Sequence, residues 1–297
     1  MTSNLSNLAA SPIRLGAISF VNTIPIYASY QPASPVELVY DVPANLNARM
    51  LSGDLQISPV SSACYLRNQD RLVLLDDLSV SSPGAVESVL FLSRKPLGSE
   101  MLDIPCISVP NDSETSIMLL AFLLKEATGY DLRPWFRTYE ASQYSPMLQE
   151  TGNALIIGDN ALMVKEARNQ DPNAAAELYC YVLSSLWKER TGLPFVFAVW
   201  VADREWAEQH PSAMAALNRE LVAARNRFFN EPSVFQTGLT LAEERSGLPQ
   251  STLMHYYTQC LSYGLSPQHQ ASLERFGAII EAANHWESHH RERQPLP

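Results

Sequence analysis

Phe195-Val-Phe-Ala-Val-Trp-Val201 is the segment that decides how this chain is organised. It lies inside the longest uninterrupted apolar run of the sequence, the ten residues from Leu193 to Ala202. Because a helix needs about 18 apolar residues to cross a membrane, this run predicts no membrane span. Its length and apolar character predict a buried strand instead, which we interpret as the connection that returns the chain from a second lobe to a first.

Short apolar runs alternate with helical patterns on the N-terminal side of this segment, which is typical of α/β architecture. The stretch Arg94–Pro105 is interpreted as the first connection between lobes, and the pattern becomes helical after Asp203. The sequence therefore predicts a two-lobed clamshell with residues 13–95 and 197–297 in the first lobe and 96–196 in the second. Strands are predicted at Arg14–Ile18, Val36–Tyr40, Leu55–Pro59, Val86–Leu92, Cys106–Val109, Phe136–Thr138 and Ala154–Ile157. Terminal helices pack on the first lobe, and a ligand binds in the cleft between the lobes.

The charge balance argues against a nucleic-acid partner. Lysine and arginine total 21 against 31 aspartates and glutamates, which gives a formal net charge of −10. A protein that binds the phosphate backbone normally shows a basic footprint, and here the basic residues are dispersed. An acidic chain can still bind an anion where a local site supplies hydrogen-bond donors.

Cysteine spacing and the N-terminal residues give two further expectations. The widely spaced Cys64, Cys106, Cys180 and Cys260 form no CxxC motif, which predicts reduced thiols and no zinc site. No basic residue and no apolar core precede Arg14, whereas a signal peptide needs both. We therefore expect a cytoplasmic protein.

Small hydroxyl and amide side chains recur where a predicted strand gives way to a helix. A helix N-terminus carries unpaired N–H groups and a partial positive charge, so together with hydroxyls it can bind a carboxylate without an arginine. The alternative is that these side chains only cap their own helices. Since each lobe has two such segments, we expect several of them to face a shared ligand. The four segments are Ser19–Thr23, Pro59–Ser62, Asn111–Ser116 and Gly158–Asn160.

Histidine placement excludes imidazole chemistry from the predicted cleft, because all six histidines follow residue 209. His285 and His289 are four residues apart and could share a helix face, but no third metal ligand accompanies them, so we interpret them as part of a solvated helix end. No nucleophile elbow, P-loop or GxGxxG motif occurs, so hydrolase, kinase and dinucleotide-binding functions have no support.

Carboxylates and tryptophans are the other candidates. Asp159 follows a predicted strand end, where it either points into the cleft or caps the next helix. Glu87 and Ser88 are neighbours on a strand, so one faces inward and the other outward. Trp187 and Trp200 are interpreted as core or cleft-wall residues rather than cofactor contacts.

These residues resemble the chorismate dehydratases of the futalosine route to menaquinone, a family with the type II periplasmic-binding-protein fold. The resemblance runs from about Arg14 to the C-terminal helices. This chain departs from the family pattern at Ser19-Phe-Val-Asn-Thr23, at Asn160 where proline is common, and at Leu183-Ser-Ser185. The stretches that carry the resemblance are Gly16–Pro25, Val42-Pro43, Ser61–Tyr65, Gly84–Val89, Ser113–Ser116, Leu155–Asp159 and, most specifically, Thr191–Val201.

The resemblance implies removal of water from chorismate to give 3-[(1-carboxyvinyl)oxy]benzoate, with no metal or cofactor. It implies that Asn22 positions the reacting ring and that Asp159 acts as an acid or base, although a water or a substrate carboxylate could be the base instead. The expected partners are the small dicarboxylate substrate and, as one arrangement, a second copy in a homodimer. The substrate-binding residues implied are Ser19, Thr23, Ser61, Ser62, Ser88, Asn111, Thr115, Ser116 and Gly158.

Two competing interpretations remain. The sister enzyme that makes 1,4-dihydroxy-6-naphthoate resembles this chain around Ser61 and Thr115, but has a histidine where Gly158 stands. A non-catalytic small-carboxylate-binding protein that serves a transporter would have to be exported, and the N-terminal residues predict no export signal. An effector-binding domain of a transcription regulator would need a DNA-binding helix-turn-helix, and the predicted lobes leave no residues for one.

Overall fold

Two five-stranded sheets form the two lobes of the molecule. The computed structural model describes residues 12–103, 106–140, 151–171 and 177–289, without side chains for 284–289. The first sheet has the order β2-β1-β3-β10-β4 and contains β1 (Ile13–Ile18), β2 (Val36–Asp41), β3 (Ile57–Ser61), β4 (Leu72–Ser82) and β10 (Phe195–Asp203). The second has the order β7-β6-β8-β5-β9 and contains β5 (Val89–Ser93), β6 (Ile107–Pro110), β7 (Phe136–Tyr139), β8 (Asn153–Ile157) and β9 (Tyr179–Val182).

Helices cover both sheets and fill the C-terminal third of the chain. None in the described part of the chain is long and apolar enough to span a bilayer. The α-helices are α1 (Ile24–Tyr27), α2 (Pro43–Leu51), α3 (Ser62–Arg67), α4 (Glu114–Thr128), α5 (Gly158–Gln170), α6 (Leu183–Thr191), α7 (Arg204–Gln209), α8 (Pro211–Asn230), α9 (Pro232–Ser246), α10 (Gln250–His255) and α11 (Pro267–His289). Short 3-10 helices lie at Val21–Thr23, Ser99–Asp103 and Arg133–Trp135, and a π-helix at Tyr256–Cys260.

The strand predicted at Phe195–Val201 is confirmed, and it occupies the interior of the first sheet. β10 pairs antiparallel with β3 on one side and β4 on the other. Consecutive residues of β10 are buried on either face of the sheet, which explains why the strand is apolar throughout rather than alternating. Trp200 is fully buried, as expected for a core residue, and its Nε1 donates to the hydroxyl of Tyr27 at 2.9 Å.

The first passage between the sheets differs from the prediction. Val89–Ser93, which the sequence analysis placed in the first lobe, pairs antiparallel with β8 and β9 in the second sheet. The chain therefore changes sheets between Ser82 and Val89, before the predicted connection at 94–105. The reason lies in β4, a strand that the sequence analysis missed because acidic and serine residues interrupt its apolar pattern. β4 forms the edge of the first sheet beside β10, so β5 finds its partners in the second.

The C-terminal helices pack on the first lobe, as predicted. α8 contacts α1 and β4, while α11 contacts α3 and β10. Trp187 of α6 reaches this packing from the other lobe: it is fully buried, with its ring 5.2 Å from that of Phe195 and 6.0 Å from that of Phe276. The packing of Trp187 against Phe195 and Phe276 therefore connects the second lobe to the first.

Candidate functional site

A cleft lies between the lobes, where strands of both sheets end and helices begin. It holds about 570 Å³ of empty space, including its open mouth. Its walls are apolar, with Phe20, Val80 and Phe197 among them. No ionisable side chain lines it among the residues that the structure describes, so any anion bound here would be held by neutral groups. Its polar lining consists of Asn22, Ser61, Ser88, Ser113, Thr115 and Ser116, and Gly158 adds backbone.

Two of the hydroxyls that line the cleft, those of Ser61 and Ser88, already accept hydrogen bonds from other residues of the protein. The Ser61 Oγ accepts from Asn47 Nδ2 at 3.1 Å and, as the N-cap of α3, from the Cys64 N–H at 3.2 Å. The Ser88 Oγ accepts from the hydroxyl of Tyr256 at 2.8 Å. A hydroxyl has one proton to donate, and these bonds use only acceptor lone pairs. Each side chain therefore keeps its O–H for a ligand in the cleft.

Thr115, in the first turn of α4, also accepts a hydrogen bond through its hydroxyl, and this bond connects the two lobes. Its Oγ1 accepts from the N–H of Ala63 in α3 at 2.9 Å, so its proton also stays available to a ligand. Beside it, Arg67 of α3 forms an ion pair with Glu114 of α4. The lobes are thus in contact across the cleft.

Asn22 is the most conspicuous polar residue of the site. It lies on the 3-10 helix after β1, and its Oδ1 is buried without a hydrogen-bond partner among the described residues. Buried acceptors are rarely left unsatisfied, because each costs about 1–3 kcal/mol. An unsatisfied oxygen at the wall of a cleft is explained by a ligand that donates to it.

The junction of β8 and α5 contributes Gly158 and, behind it, Asp159. Gly158 has φ +62°, and a Cβ there would lie 3.1 Å from the ring of Phe20, so this position requires glycine. The Asp159 Oδ1 accepts from the N–H of Val21 at 3.2 Å, which ties the second lobe to the turn that carries Asn22. Burial raises the pKa of Asp159 to about 6, although the Val21 N–H and the charge of Arg245 oppose the shift.

Four residues predicted to bind substrate do not line the cleft. Ser19 is exposed to solvent. The other three use their polar atoms within the protein: the Thr23 hydroxyl donates to the Ile18 carbonyl and the Ser62 hydroxyl to the Val196 carbonyl, both at 2.7 Å, while the Asn111 amide donates to Glu140 at 2.9 Å. The sequence-based placement of these four side chains in the cleft is therefore corrected. Residues one or two positions away line the cleft instead, namely Phe20, Asn22, Ser61 and Ser113.

The sequence analysis missed the apolar walls and one hydroxyl. Phe197 belongs to the segment that was predicted to be buried, and only its position on β10 shows that it borders the cleft. Phe20 lies between two residues predicted to contact substrate, Ser19 and Asn22, and its ring forms part of the cleft wall. Ser113 belongs to the predicted segment Asn111–Ser116, although it is not among the individual substrate-binding residues expected there; its side chain makes no capping hydrogen bond and lines the cleft.

One group of residues outside the cleft has the chemistry of metal ligands. Side-chain donor atoms of Glu87, His255 and Cys260 lie within 4.8 Å of one another. The Lys165 Nζ is 3.8 Å from the Glu87 carboxylate and already supplies the positive charge that a cation would bring. A metal ion would have to displace that ammonium group, so we assign the cluster no metal.

Comparison with known proteins adds relatives in sequence and in fold. A family model described as menaquinone biosynthesis matches residues 13–282. A chorismate dehydratase of Thermus thermophilus is 34% identical over 217 residues, which cover 70% of this chain and 76% of that protein.

The similar solved structures have a fold of the periplasmic-binding-protein type. A protein of Archaeoglobus fulgidus matches with a TM-score of 0.68 and 17% identity, over 93% of this chain and 99% of that one. The aliphatic sulphonate-binding protein SsuA of Escherichia coli matches with a TM-score of 0.62 and 14% identity, over 92% and 88%. At such identities the likeness shows the fold alone, and the predicted clamshell is confirmed.

Proposed function

The chain belongs to the menaquinone-biosynthesis family, and we propose on that premise that it is a chorismate dehydratase. This hydro-lyase eliminates water from chorismate to give 3-[(1-carboxyvinyl)oxy]benzoate. The observation that carries the proposal is the cleft lining: neutral hydroxyl donors from both lobes surround an unsatisfied amide oxygen. That arrangement suits a substrate with two carboxylates and one hydroxyl.

The hydroxyls hold the carboxylates. The hydroxyls of Ser61, Ser88 and Thr115 already accept hydrogen bonds from the protein, so each keeps its proton to donate to a carboxylate. Ser116, in the first turn of α4, adds a fourth hydroxyl to the lining. A hydrogen bond to a charged group contributes about 1.5–3 kcal/mol net, so several are needed to offset the desolvation of a dianion. The apolar walls exclude water and strengthen each of these bonds.

The reaction needs charge stabilisation more than strong acid. Loss of the ring C3 proton and the C4 hydroxyl makes the ring aromatic, so the overall change is favourable and the barrier is kinetic. As the C3–H bond breaks, negative charge spreads through the diene to the C1 carboxylate. Donors aimed at that carboxylate therefore stabilise the transition state more than the ground state.

Asn22 and Asp159 take the remaining roles. The Asn22 side chain hydrogen-bonds the C4 hydroxyl, accepting from it through Oδ1 in the ground state and donating from Nδ2 as the C4–O bond breaks. Asp159 does not line the cleft itself, but it lies one residue beyond the cleft-lining Gly158. It is ionised above about pH 6 and receives the C3 proton through a water. That proton and the departing hydroxide together make the water that is lost.

The direct test is to incubate the purified protein with chorismate. We expect loss of the cyclohexadiene absorbance and the appearance of one product whose mass is that of chorismate less one water. Binding of chorismate without turnover would identify a binding protein instead and overturn the proposal. A control with the Asn22→Ala variant shows whether the conversion belongs to this site.

A further inference from the structure

We propose that Tyr257 and Tyr263 are positioning residues that hold Asn22 in the orientation needed for dehydration; this rests on the catalytic role proposed above for Asn22. The hydroxyl of Tyr257 donates to the main-chain carbonyl of Val21 at 2.9 Å. The hydroxyl of Tyr263 donates to the main-chain carbonyl of Asn22 itself at 2.8 Å. Two tyrosines that are distant in the sequence therefore hydrogen-bond to consecutive main-chain carbonyls of the turn.

The turn needs such support because it holds itself weakly. Val21–Thr23 is a three-residue 3-10 helix, a form with poor hydrogen-bond geometry that rarely extends further. The residue before it, Phe20, caps it without a side-chain hydrogen bond. Within the turn, the Thr23 hydroxyl donates to the Ile18 carbonyl. The main-chain groups of Val21 and Asn22, from which the Asn22 side chain projects, are held from outside the turn by the two tyrosines and by the Asp159 carboxylate.

Tyr257 comes from a segment whose backbone is itself irregular, and Tyr263 follows three residues after that segment ends. Tyr256–Cys260 is a π-helix, closed by the Leu261 N–H donating to the Tyr256 carbonyl at 3.1 Å. Such turns occur mostly as single insertions, frequently at functional sites. This one buries two consecutive tyrosines almost completely: Tyr256 donates to the cleft-lining Ser88, and Tyr257 reaches the Asn22 turn. A single segment therefore fixes two parts of the cleft wall.

The test compares Tyr257→Phe and Tyr263→Phe with Tyr139→Phe. Tyr139 is the matched control because its buried hydroxyl also donates to a main-chain carbonyl, that of Leu155, at a position that does not line the cleft. All three variants lose one buried hydrogen bond, so each should lower Tm by about 2–4 °C. Only Tyr257→Phe and Tyr263→Phe should lower kcat for chorismate, by about tenfold, with KM changed less than threefold.

Two further measurements separate positioning from general destabilisation. In an Asn22→Ala background, Tyr263→Phe should lower kcat less than twofold further, because the group that it positions is gone. Amide exchange across residues 21–27 should accelerate at least tenfold in Tyr257→Phe and Tyr263→Phe and stay unchanged in Tyr139→Phe.

The outcomes are distinguishable from those that test the reaction. If the tyrosine variants match Tyr139→Phe in kcat and exchange, or if their losses add fully to that of Asn22→Ala, the positioning role is overturned. If the wild-type protein leaves chorismate unchanged while exchange still accelerates in the tyrosine variants, the dehydratase proposal fails and the support of the Asn22 turn stands.

Discussion

Each lobe has one strand, β1 in the first and β6 in the second, that lies between two parallel neighbours, and the residues after these two strands differ. β1 lies between its parallel neighbours β2 and β3, and β6 lies between its parallel neighbours β7 and β8. An asparagine follows each strand. Asn22 points a buried, unsatisfied oxygen towards the cleft, whereas Asn111 is exposed and donates to Glu140 at the surface.

The difference shows that position at the carboxyl end of a strand does not by itself make a residue part of the site. β1 is followed by a short turn whose main-chain carbonyls accept hydrogen bonds from Tyr257 and Tyr263, in the C-terminal part of the chain. β6 leads instead into the long helix α4, whose own first turn supplies Thr115 and Ser116 to the cleft. The first lobe therefore contributes a supported loop amide, and the second contributes helix hydroxyls.

Replacing the two asparagines gives the largest expected contrast. Asn22→Ala should lower kcat for chorismate dehydration by about 10²–10³-fold, the cost of removing one side chain that stabilises a transition state. Asn111→Ala should stay within twofold of wild type, because its amide contacts only a surface carboxylate. Steady-state rates of product formation check both. Near-normal turnover by Asn22→Ala would remove that residue from the mechanism, and the two asparagines would then not differ in their contribution to catalysis.

A smaller contrast lies between two adjacent serines at the start of α3. Ser61→Ala should raise KM about tenfold, because the donor for a substrate carboxylate is lost, and should lower Tm, because the helix loses its cap. Ser62→Ala should lower Tm by about 2–4 °C, since the Val196 carbonyl loses its donor, and leave KM unchanged. Equal KM values for the two variants would show that Ser61 does not contact substrate.

Much of the fold could be predicted because its signals are local. β10 and the core position of Trp187 follow from apolar runs and residue type. β4 and the membership of β5 could not be predicted, since pairing with a distant strand decides them. The same limit applied to the site: the segments were identified, but the choice between Ser61 and Ser62 depends on which hydroxyl a neighbouring carbonyl accepts. The role of Tyr257 and Tyr263 depends on contacts more than 200 positions away in the chain.

The smallest expected effect concerns Asp159, the carboxylate that connects the second lobe to the Asn22 turn. Its pKa of about 6 lies above its ordinary value of 3.8, because burial disfavours the charge. Above pH 6 the residue is ionised in the folded and unfolded states alike, and the folded state alone bears the cost of burying the charge. As pH falls from 6 to about 4, the folded state takes up the proton first, so this group destabilises the protein less; below that, both states are protonated.

Asp159→Asn removes the buried charge and keeps an oxygen that can accept from the Val21 N–H. The variant should therefore unfold about 3–6 °C above wild type at pH 8, and the difference should vanish near pH 4. Asp131→Asn is the control of opposite sign: burial alone would raise the pKa of Asp131, but its hydrogen bonds with Arg133 hold that pKa below its ordinary value. Its replacement should lower Tm at pH 8 and lose this effect in acid. Measurement of Tm by thermal unfolding at several values from pH 4 to 8 tests both variants. If the Tm of Asp159→Asn changed with pH in parallel with that of wild type, the charge of Asp159 would not be buried when the lobes are in contact.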